Sequence, residues 1–110
     1  KTVKRFIVTS DASPLAGMPP GAYNIFGKLP VVINENGLIY SEQSKSLVGS
    51  HSTMLECMNH LASLHILSEK ELWSVGLKNP LGALGLVPSD IARLKGPVVS
   101  FRNGRFELEG

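Results

Sequence analysis

The sequence predicts a fold of the α/β class, which as a separate chain of 110 residues would be an α+β domain. Three observations lead to this prediction. A short apolar run at Phe6-Ile7-Val8 indicates a buried strand, Asn-Gly pairs at two places indicate hairpins, and two capping boxes indicate helices. The predicted order is therefore strand, loop, hairpin, helices and hairpin.

The first element is predicted as a strand from Val3 to Thr9. Continuous apolar runs are typical of strands covered on both faces, as in parallel sheets. A stiff loop from Ser13 to Gly21 follows, because prolines and glycines are frequent there. No second strand of this type follows, and the first residue is Lys1 rather than Met. We therefore interpret the chain as a fragment or a processed product.

The middle of the chain is predicted to be β structure from Tyr23 to Tyr40. Its turn would lie at Asn34-Glu35-Asn36-Gly37, because Asn-Gly is a strong hairpin signal between apolar segments. The polar segment from Ser41 to Ser46 is expected to be exposed. A second hairpin is predicted near the end, around Arg102-Asn103-Gly104.

Helices are predicted after Thr53 and after Ser68, because each of these residues is followed three positions later by Glu. A further helix is expected to start at Asn79-Pro80, since proline at the first helical position gives up no hydrogen bond. Gly85 is a suitable residue to end it.

Composition limits the possible partners and the compartment. The net charge is +2, with 11 basic and 9 acidic residues, which argues against nucleic acid or an anionic membrane as the main partner. The single cysteine, Cys57, cannot form an internal disulfide and favours a reducing cytoplasm. No apolar run is long enough for a membrane helix.

Asp11 is the main candidate for catalysis. A carboxylate at the carboxyl end of a buried strand, before a long loop, lies where barrel enzymes place catalytic groups. An Asp shielded from water can transfer a proton to a leaving group. The alternative is that Asp11 is only a turn or cap residue.

The segment Gly49-Ser50-His51-Ser52 allows several interpretations. It lacks the Gly-x-Ser-x-Gly pattern of a nucleophilic serine. It could be a turn facing a phosphate or sugar, because Gly49 allows close backbone approach and free N–H groups begin the next helix. Alternatively, its hydroxyl groups only cap that helix.

A metal site formed by the histidines and the cysteine is not expected. Zinc commonly binds His and Cys at short spacings. His60 and His65 point in different directions on one helix, so a single helix cannot bring these residues, with His51 and Cys57, to one ion. A buried Cys57 and partly exposed histidines are expected instead.

Three segments together resemble the N-acetylglucosamine-6-phosphate deacetylases of the amidohydrolase superfamily. They are the run from Val8 to Tyr23, with Thr-Ser-Asp and Leu-Ala-Gly-Met-Pro-Pro-Gly, the segment from Leu47 to Met54, with Leu-Val-Gly-Ser-His-Ser-Thr-Met, and the segment from Leu77 to Leu86, with Asn-Pro-Leu-Gly-Ala-Leu-Gly. Their order and spacing agree with the family, and the resemblance extends to Leu86.

The resemblance implies a C-terminal fragment of a (β/α)8 barrel: its last strand, an inserted β-hairpin and the following helices (residues 1–95), plus closing strands of a small β-sandwich (residues 96–110). It implies that a divalent metal, zinc or iron, activates a water that attacks the acetamide. Asp11 would take a proton from that water and pass it to the leaving amine. Leu47, Val48 and Gly49 would contact the amino-sugar phosphate substrate. The metal ligands would lie on earlier strands, outside this chain, so the fragment alone is expected to be inactive.

Two other functions remain open. One is a non-catalytic module that self-associates through an exposed strand edge, and a homo-oligomer is expected in either case. The other is an amidohydrolase that acts on a cyclic amide. The Pro-rich segment after Asp11 favours the sugar enzyme.

Overall fold

The computed structural model describes residues 2–109, which form two compact units. The sheet unit is Ser10–Thr53, and the helix unit comprises the described residues 2–9 and 54–109. The sheet unit contains an antiparallel sheet, and the helix unit contains short helices and an antiparallel hairpin. The α+β class predicted for the separate chain is therefore confirmed.

The sheet unit is a four-stranded antiparallel meander. Its strands, in spatial and sequence order, are β1 (Gly21–Ile25), β2 (Leu29–Ile33), β3 (Ile39–Ser41) and β4 (Ser46–Leu47). One face is buried because alternate side chains point to the same side of a strand. The apolar core on this face consists of Ile25, Val31, Ile33 and Ile39.

The hairpin predicted at Asn34-Glu35-Asn36-Gly37 is confirmed. The Gly37 N–H donates to the Asn34 carbonyl at 2.9 Å, and Gly37 has a φ of 83°. The exposure expected from Ser41 to Ser46 is wrong at its first residue. Ser41 is fully buried, and its hydroxyl accepts a hydrogen bond from the Ser44 N–H at 3.2 Å. A hydroxyl that closes a tight turn can be buried because its hydrogen bond is made inside the turn.

The helix unit contains four short α-helices, a π-helical segment and a hairpin. These are α1 (Met54–Ser63), α2 (Glu69–Trp73), the π-helical segment Ser74–Lys78, α3 (Asn79–Ala83), α4 (Pro88–Ile91), β5 (Val98–Arg102) and β6 (Arg105–Glu109). Their shared core consists of Met58, Ala62, Leu72, Val75 and Phe106. Among residues 2–109, no helix has the length and apolar character that a membrane crossing requires.

The first two predicted helix starts agree with the structure. Helix α1 begins at Met54, directly after Thr53. At α2 both bonds of the capping box are present: the Glu71 N–H donates to the Ser68 hydroxyl at 3.3 Å, and the Ser68 N–H donates to the Glu71 carboxylate at 2.8 Å. These signals are local, so a sequence pattern of four residues is enough to predict them.

The predicted helix start at Asn79-Pro80 agrees with the start of α3, although this helix continues directly from the π-helical segment, so that the chain is helical from Glu69 to Ala83. The Asn79 N–H donates to the Ser74 carbonyl, five residues back, which is the π-helical pattern. Pro80 has no N–H to donate, and the helical structure continues through it by changing to the wider π-helical hydrogen-bond pattern in the turn before it. The C-terminal end was predicted correctly: Gly85 has a φ of 74°, and the Leu86 N–H donates to the Leu81 carbonyl at 2.9 Å.

The strand predicted from Val3 to Thr9 is also wrong. These residues form no strand, and Phe6 and Ile7 are 65% and 49% exposed. A strand requires a neighbour that pairs with its backbone, and none lies beside this segment in the described chain. The segment is attached to the helical run instead, because Asn79 Nδ2 donates to the carbonyls of Val3 at 2.8 Å and Phe6 at 2.7 Å.

The second predicted hairpin is confirmed, with Val98 paired to Glu109 and Arg102 to Arg105. Asn59 of α1 attaches it to the helices: Nδ2 donates to the Phe106 carbonyl at 3.0 Å, and Oδ1 accepts from the Phe106 N–H at 2.7 Å. The Phe106 ring contacts Trp73 edge-on, with the ring centroids 5.0 Å apart. The expected division into residues 1–95 and 96–110 refers to a whole barrel enzyme and stays a prediction.

Candidate functional site

The structure brings two of the sequence motifs together within the sheet unit. Ala12 and Ser50 form an isolated parallel bridge. The Ser50 N–H donates to the Asp11 carbonyl at 2.6 Å, and the Ser13 N–H donates to the Ser50 carbonyl at 2.8 Å. The segment around Asp11 and the segment around Gly49 are therefore joined backbone to backbone, and this junction is the candidate site.

Gly49 makes the junction possible. A Cβ at this position would lie 3.0 Å from the Ser13 nitrogen and 3.1 Å from the Asp11 carbonyl oxygen, both backbone atoms that cannot move aside cheaply. Gly49 also has a φ of 70°, a conformation that L-residues with a side chain rarely adopt. The close approach expected of Gly49 does occur, and the group that approaches it is the chain segment that carries Asp11.

Asp11 has an unusual backbone conformation. Its φ is 49°, in the left-handed region that Asp tolerates better than most residues because of its short polar side chain. The residue is exposed, while its carbonyl is held by the hydrogen bond from Ser50. The backbone at Asp11 is therefore fixed by Ser50, although the strand predicted before it does not form.

The loop after Asp11 is held at several points. The Ser13 hydroxyl accepts from the Leu15 N–H at 3.2 Å, and Ser13 is buried. The His51 ring nitrogen Nε2 lies 3.1 Å from the Met18 carbonyl, to which it donates in the Nε2–H tautomer. The Tyr23 hydroxyl donates to the Pro19 carbonyl at 2.8 Å. His51 thus links the loop to the Gly49–Ser50 segment and strengthens the junction.

The three residues expected to contact substrate differ in what they can offer a ligand. Leu47 is 58% exposed at the end of β4, so its side chain is accessible. Val48 is half-buried against the core of the sheet, and its N–H donates to the Ile39 carbonyl at 2.9 Å. Gly49 can offer only its backbone. A ligand at this junction could therefore contact Leu47 and Gly49 directly, whereas the Val48 side chain supports the sheet.

Ser50 and Ser52 form a local turn. The Ser52 N–H donates to the Ser50 hydroxyl at 2.9 Å. This is the side-chain turn that serine commonly makes with the backbone two residues later. The arrangement agrees with the interpretation that this segment forms a turn, and the Ser50 hydroxyl accepts a hydrogen bond from within the chain.

The residues of the described chain do not fit the implied zinc or iron. Across residues 2–109, no three His, Cys, Asp or Glu side chains are grouped so that they could hold an ion. Cys57 is half-buried rather than buried, and His60 and His65 are exposed. His51 lies at the loop described above.

The family resemblance placed Asp11 and Gly49 at one substrate, but sequence reasoning did not predict that their backbones are in direct contact. It also missed Ser13, the buried residue whose backbone completes the junction, and Asn79, whose amide holds residues 3–6. The Ser-Pro pair at Ser13 is a turn signal that could have identified the first. No local pattern points to the second, because its partners lie far away in the sequence.

No protein-family model matches the chain, and no curated protein matches it either. The interpretation of the junction therefore depends on its geometry and on the motifs in the sequence.

Proposed function

We propose that this chain is the C-terminal part of a metal-dependent amide hydrolase of the amidohydrolase superfamily. Its substrate would be N-acetylglucosamine 6-phosphate, and its products glucosamine 6-phosphate and acetate. In the whole enzyme, residues 3–9 would form the last strand of a (β/α)8 barrel, paired with strands outside this chain. Asp11 would be the catalytic carboxylate.

One observation carries this proposal: the backbone pairing of Asp11 to Ser50 through Ala12. The proposal requires the proton-transfer residue and the substrate-contacting segment to lie in one site. Asp11 and Ser50 are separated by a Pro-rich loop and four strands in the sequence, yet they are neighbours in the structure. A turn-only role for Asp11 would not require this pairing or the glycine that makes it possible.

The chemistry of Asp11 follows from its carboxylate. Water adds to the acetamide carbonyl carbon while the Asp11 carboxylate accepts one of its protons. The C–N bond then breaks as Asp11 returns that proton to the leaving nitrogen, so that acetic acid and the amine are formed and Asp11 is ionised again; the acid then gives its remaining proton to the amine, which leaves acetate. A positioned acid–base group of this kind contributes about 10²- to 10⁴-fold to the rate.

Leu47 and Gly49 would contact the sugar beside Asp11. The exposed Leu47 side chain offers apolar contact, and Gly49, by admitting the backbone of Ser13 and Asp11, brings Asp11 beside this segment. Asp11 is exposed in this chain, so the shielding from water that favours proton transfer would come from the strands that precede it in the whole enzyme. Those strands would also carry the ligands of the zinc or iron ion.

The substrate is tested by measuring acetate release from the whole enzyme. N-acetylglucosamine 6-phosphate is compared with N-acetylglucosamine, and ring opening is followed with a cyclic amide as the alternative substrate. We expect the phosphorylated sugar to give the highest kcat/KM. Faster turnover of the cyclic amide would replace the proposed substrate while leaving the role of Asp11 open.

Two further parts of the proposal concern the state of the protein. The single Cys57 is half-buried and suits a reducing cytoplasm. Self-association into a homo-oligomer is proposed for the enzyme and is tested by light scattering of the purified protein. The alternative function, a non-catalytic module, was expected to self-associate through the exposed edge of an apolar strand. Residues 3–9 do not form that strand, so this argument for the alternative no longer holds.

A further inference from the structure

The chain contains two Asn-Gly pairs, and both lie in hairpin turns. Asn36-Gly37 joins β2 to β3, and Asn103-Gly104 joins β5 to β6. Both asparagine residues are exposed to solvent. The two dipeptides are chemically identical, so any difference in their reactivity must come from the structure around each turn.

Asn-Gly is the dipeptide in which an asparagine side chain is most open to attack by the following backbone nitrogen, because glycine has no side chain to obstruct it. The Gly nitrogen forms a bond to the Asn side-chain carbonyl carbon and loses its proton, and ammonia leaves. Water then opens the resulting succinimide ring at either of its two carbonyl carbons. The products are aspartate and isoaspartate, and no oxidant or other co-reactant is required.

At Asn36-Gly37 the structure opposes this reaction. The Gly37 N–H, the group that must lose its proton, donates to the Asn34 carbonyl at 2.9 Å. The Asn36 side-chain oxygen accepts from the Leu38 N–H at 3.3 Å. Gly37 is also half-buried, and a Cβ on it would lie 3.5 Å from the His51 ring. Both reacting groups are thus held in other interactions.

At Asn103-Gly104 the structure places no such restraint. Within residues 2–109, no hydrogen bond involves the Gly104 N–H or the Asn103 side chain. A Cβ on Gly104 would have no atom within 4 Å, so the nitrogen is open on that side. Asn103 has a φ of 52° and Gly104 a φ of 78°, the left-handed pair typical of a two-residue hairpin turn, in which the second N–H is free.

We propose that Asn103 is a site of spontaneous modification, at which deamidation converts asparagine to aspartate and isoaspartate while Asn36 is protected. The new carboxylate lies between Arg102 and Arg105, at the tip of the hairpin. Isoaspartate also lengthens the backbone by one methylene in a turn of only two residues. This shifts the register of β6, which carries the core residue Phe106.

The test incubates the purified chain at mildly alkaline pH and follows both sites by mass spectrometry after digestion with a glutamate-specific protease. Trypsin would cut at Arg102 and Arg105 and leave too short a peptide. Because the Gly37 N–H must give up its hydrogen bond before Asn36 can react, we expect Asn103 to react at least about fivefold faster than Asn36 in the folded chain. In guanidinium chloride, where both turns are lost, the two rates are expected to converge.

A matched variant and a second readout complete the test. Asn103→Gly keeps a turn of the same type and removes the reactive amide, so labelling by isoaspartyl methyltransferase should disappear from this hairpin. In the unmodified sequence, Trp73 fluorescence should report a loss of stability that grows with the isoaspartate content, because Trp73 contacts Phe106. Equal rates at Asn36 and Asn103 in the folded chain, or an unchanged rate ratio after unfolding, would overturn the proposal.

Discussion

The Val8 N–H donates a hydrogen bond to the Val75 carbonyl at 3.0 Å. Val75 lies in the π-helical segment, where its carbonyl would normally accept from the N–H five residues later. That residue is Pro80, which has no N–H. The N–H four residues later, on Asn79, donates to Ser74 instead. The backbone of Val8 therefore satisfies a carbonyl that the helical run leaves without a donor.

This relationship predicts the effect of Pro80→Ala. The new N–H at residue 80 can donate to the carbonyls of the preceding turn and compete with Val8. We expect the Val8 amide to exchange with solvent faster, by about fivefold, since a backbone hydrogen bond contributes about 1 kcal/mol. Amide hydrogen exchange measured by NMR checks this. Pro88→Ala, at the first turn of α4, is the control and should leave Val8 unchanged.

The Asn79 side chain is expected to stabilise the position of residues 3–6 by donating hydrogen bonds, not by accepting them. Asn79→Ala removes two hydrogen bonds, to the Val3 and Phe6 carbonyls, and should lower the free energy of unfolding of the helix unit by about 1–3 kcal/mol. Asn79→Asp should be as damaging, because a carboxylate cannot donate. Urea unfolding followed by Trp73 fluorescence provides the measurement. Asn79→Asp with wild-type stability would show that donation is not what matters.

Gly49→Ala tests the close approach at the junction. Its Cβ would meet the backbone of Ser13 and Asp11, and the left-handed φ adds strain, so we expect a loss of about 2–4 kcal/mol. The protection of the Ser13 and Ser50 amides against hydrogen exchange reports this loss. Gly17→Ala is the matched control: Gly17 also has a positive φ, of 87°, but open space around it. It should cost only about 1 kcal/mol.

The local elements of this fold could be predicted from the sequence because their signals lie within a few residues. Asn-Gly turns and the Ser68 capping box work through adjacent backbone groups, and both appear where they were expected. The apolar run at Phe6-Ile7-Val8 was misleading. Apolar character predicts burial, but a strand also requires a neighbour with free backbone groups, which no local pattern reveals.

The candidate site was predictable only in part, for the same reason. Motifs identified Asp11 and Gly49 as unusual residues, but the bridge that joins them is a contact between segments far apart in the sequence. The two hydrogen bonds between the Asn59 side chain and the Phe106 backbone are a similar case. The sequence around an asparagine in the middle of a helix does not indicate which strand it will bind. Long-range pairing of this kind depends on the packing of the whole unit.

The 110-residue chain by itself is expected to show no deacetylase activity. The described residues include no group that could hold a metal, and Asp11 is exposed to water. Acetate release from N-acetylglucosamine 6-phosphate, measured with and without added zinc or iron, checks this expectation. Deacetylase activity that co-purifies with the chain through successive columns would contradict this expectation and would mean that residues of this chain catalyse the reaction.

The central claim is that Asp11 transfers the proton in an amide hydrolysis, and the most direct measurement is kcat for acetate release by the whole enzyme and its Asp11→Asn variant. The amide has nearly the same shape but cannot carry the proton. We predict that kcat falls by about 10²- to 10⁴-fold while KM changes little. Asp90→Asn, an exposed carboxylate in α4, serves as the control and should retain full activity. An Asp11→Asn enzyme with unchanged kcat would contradict the claim.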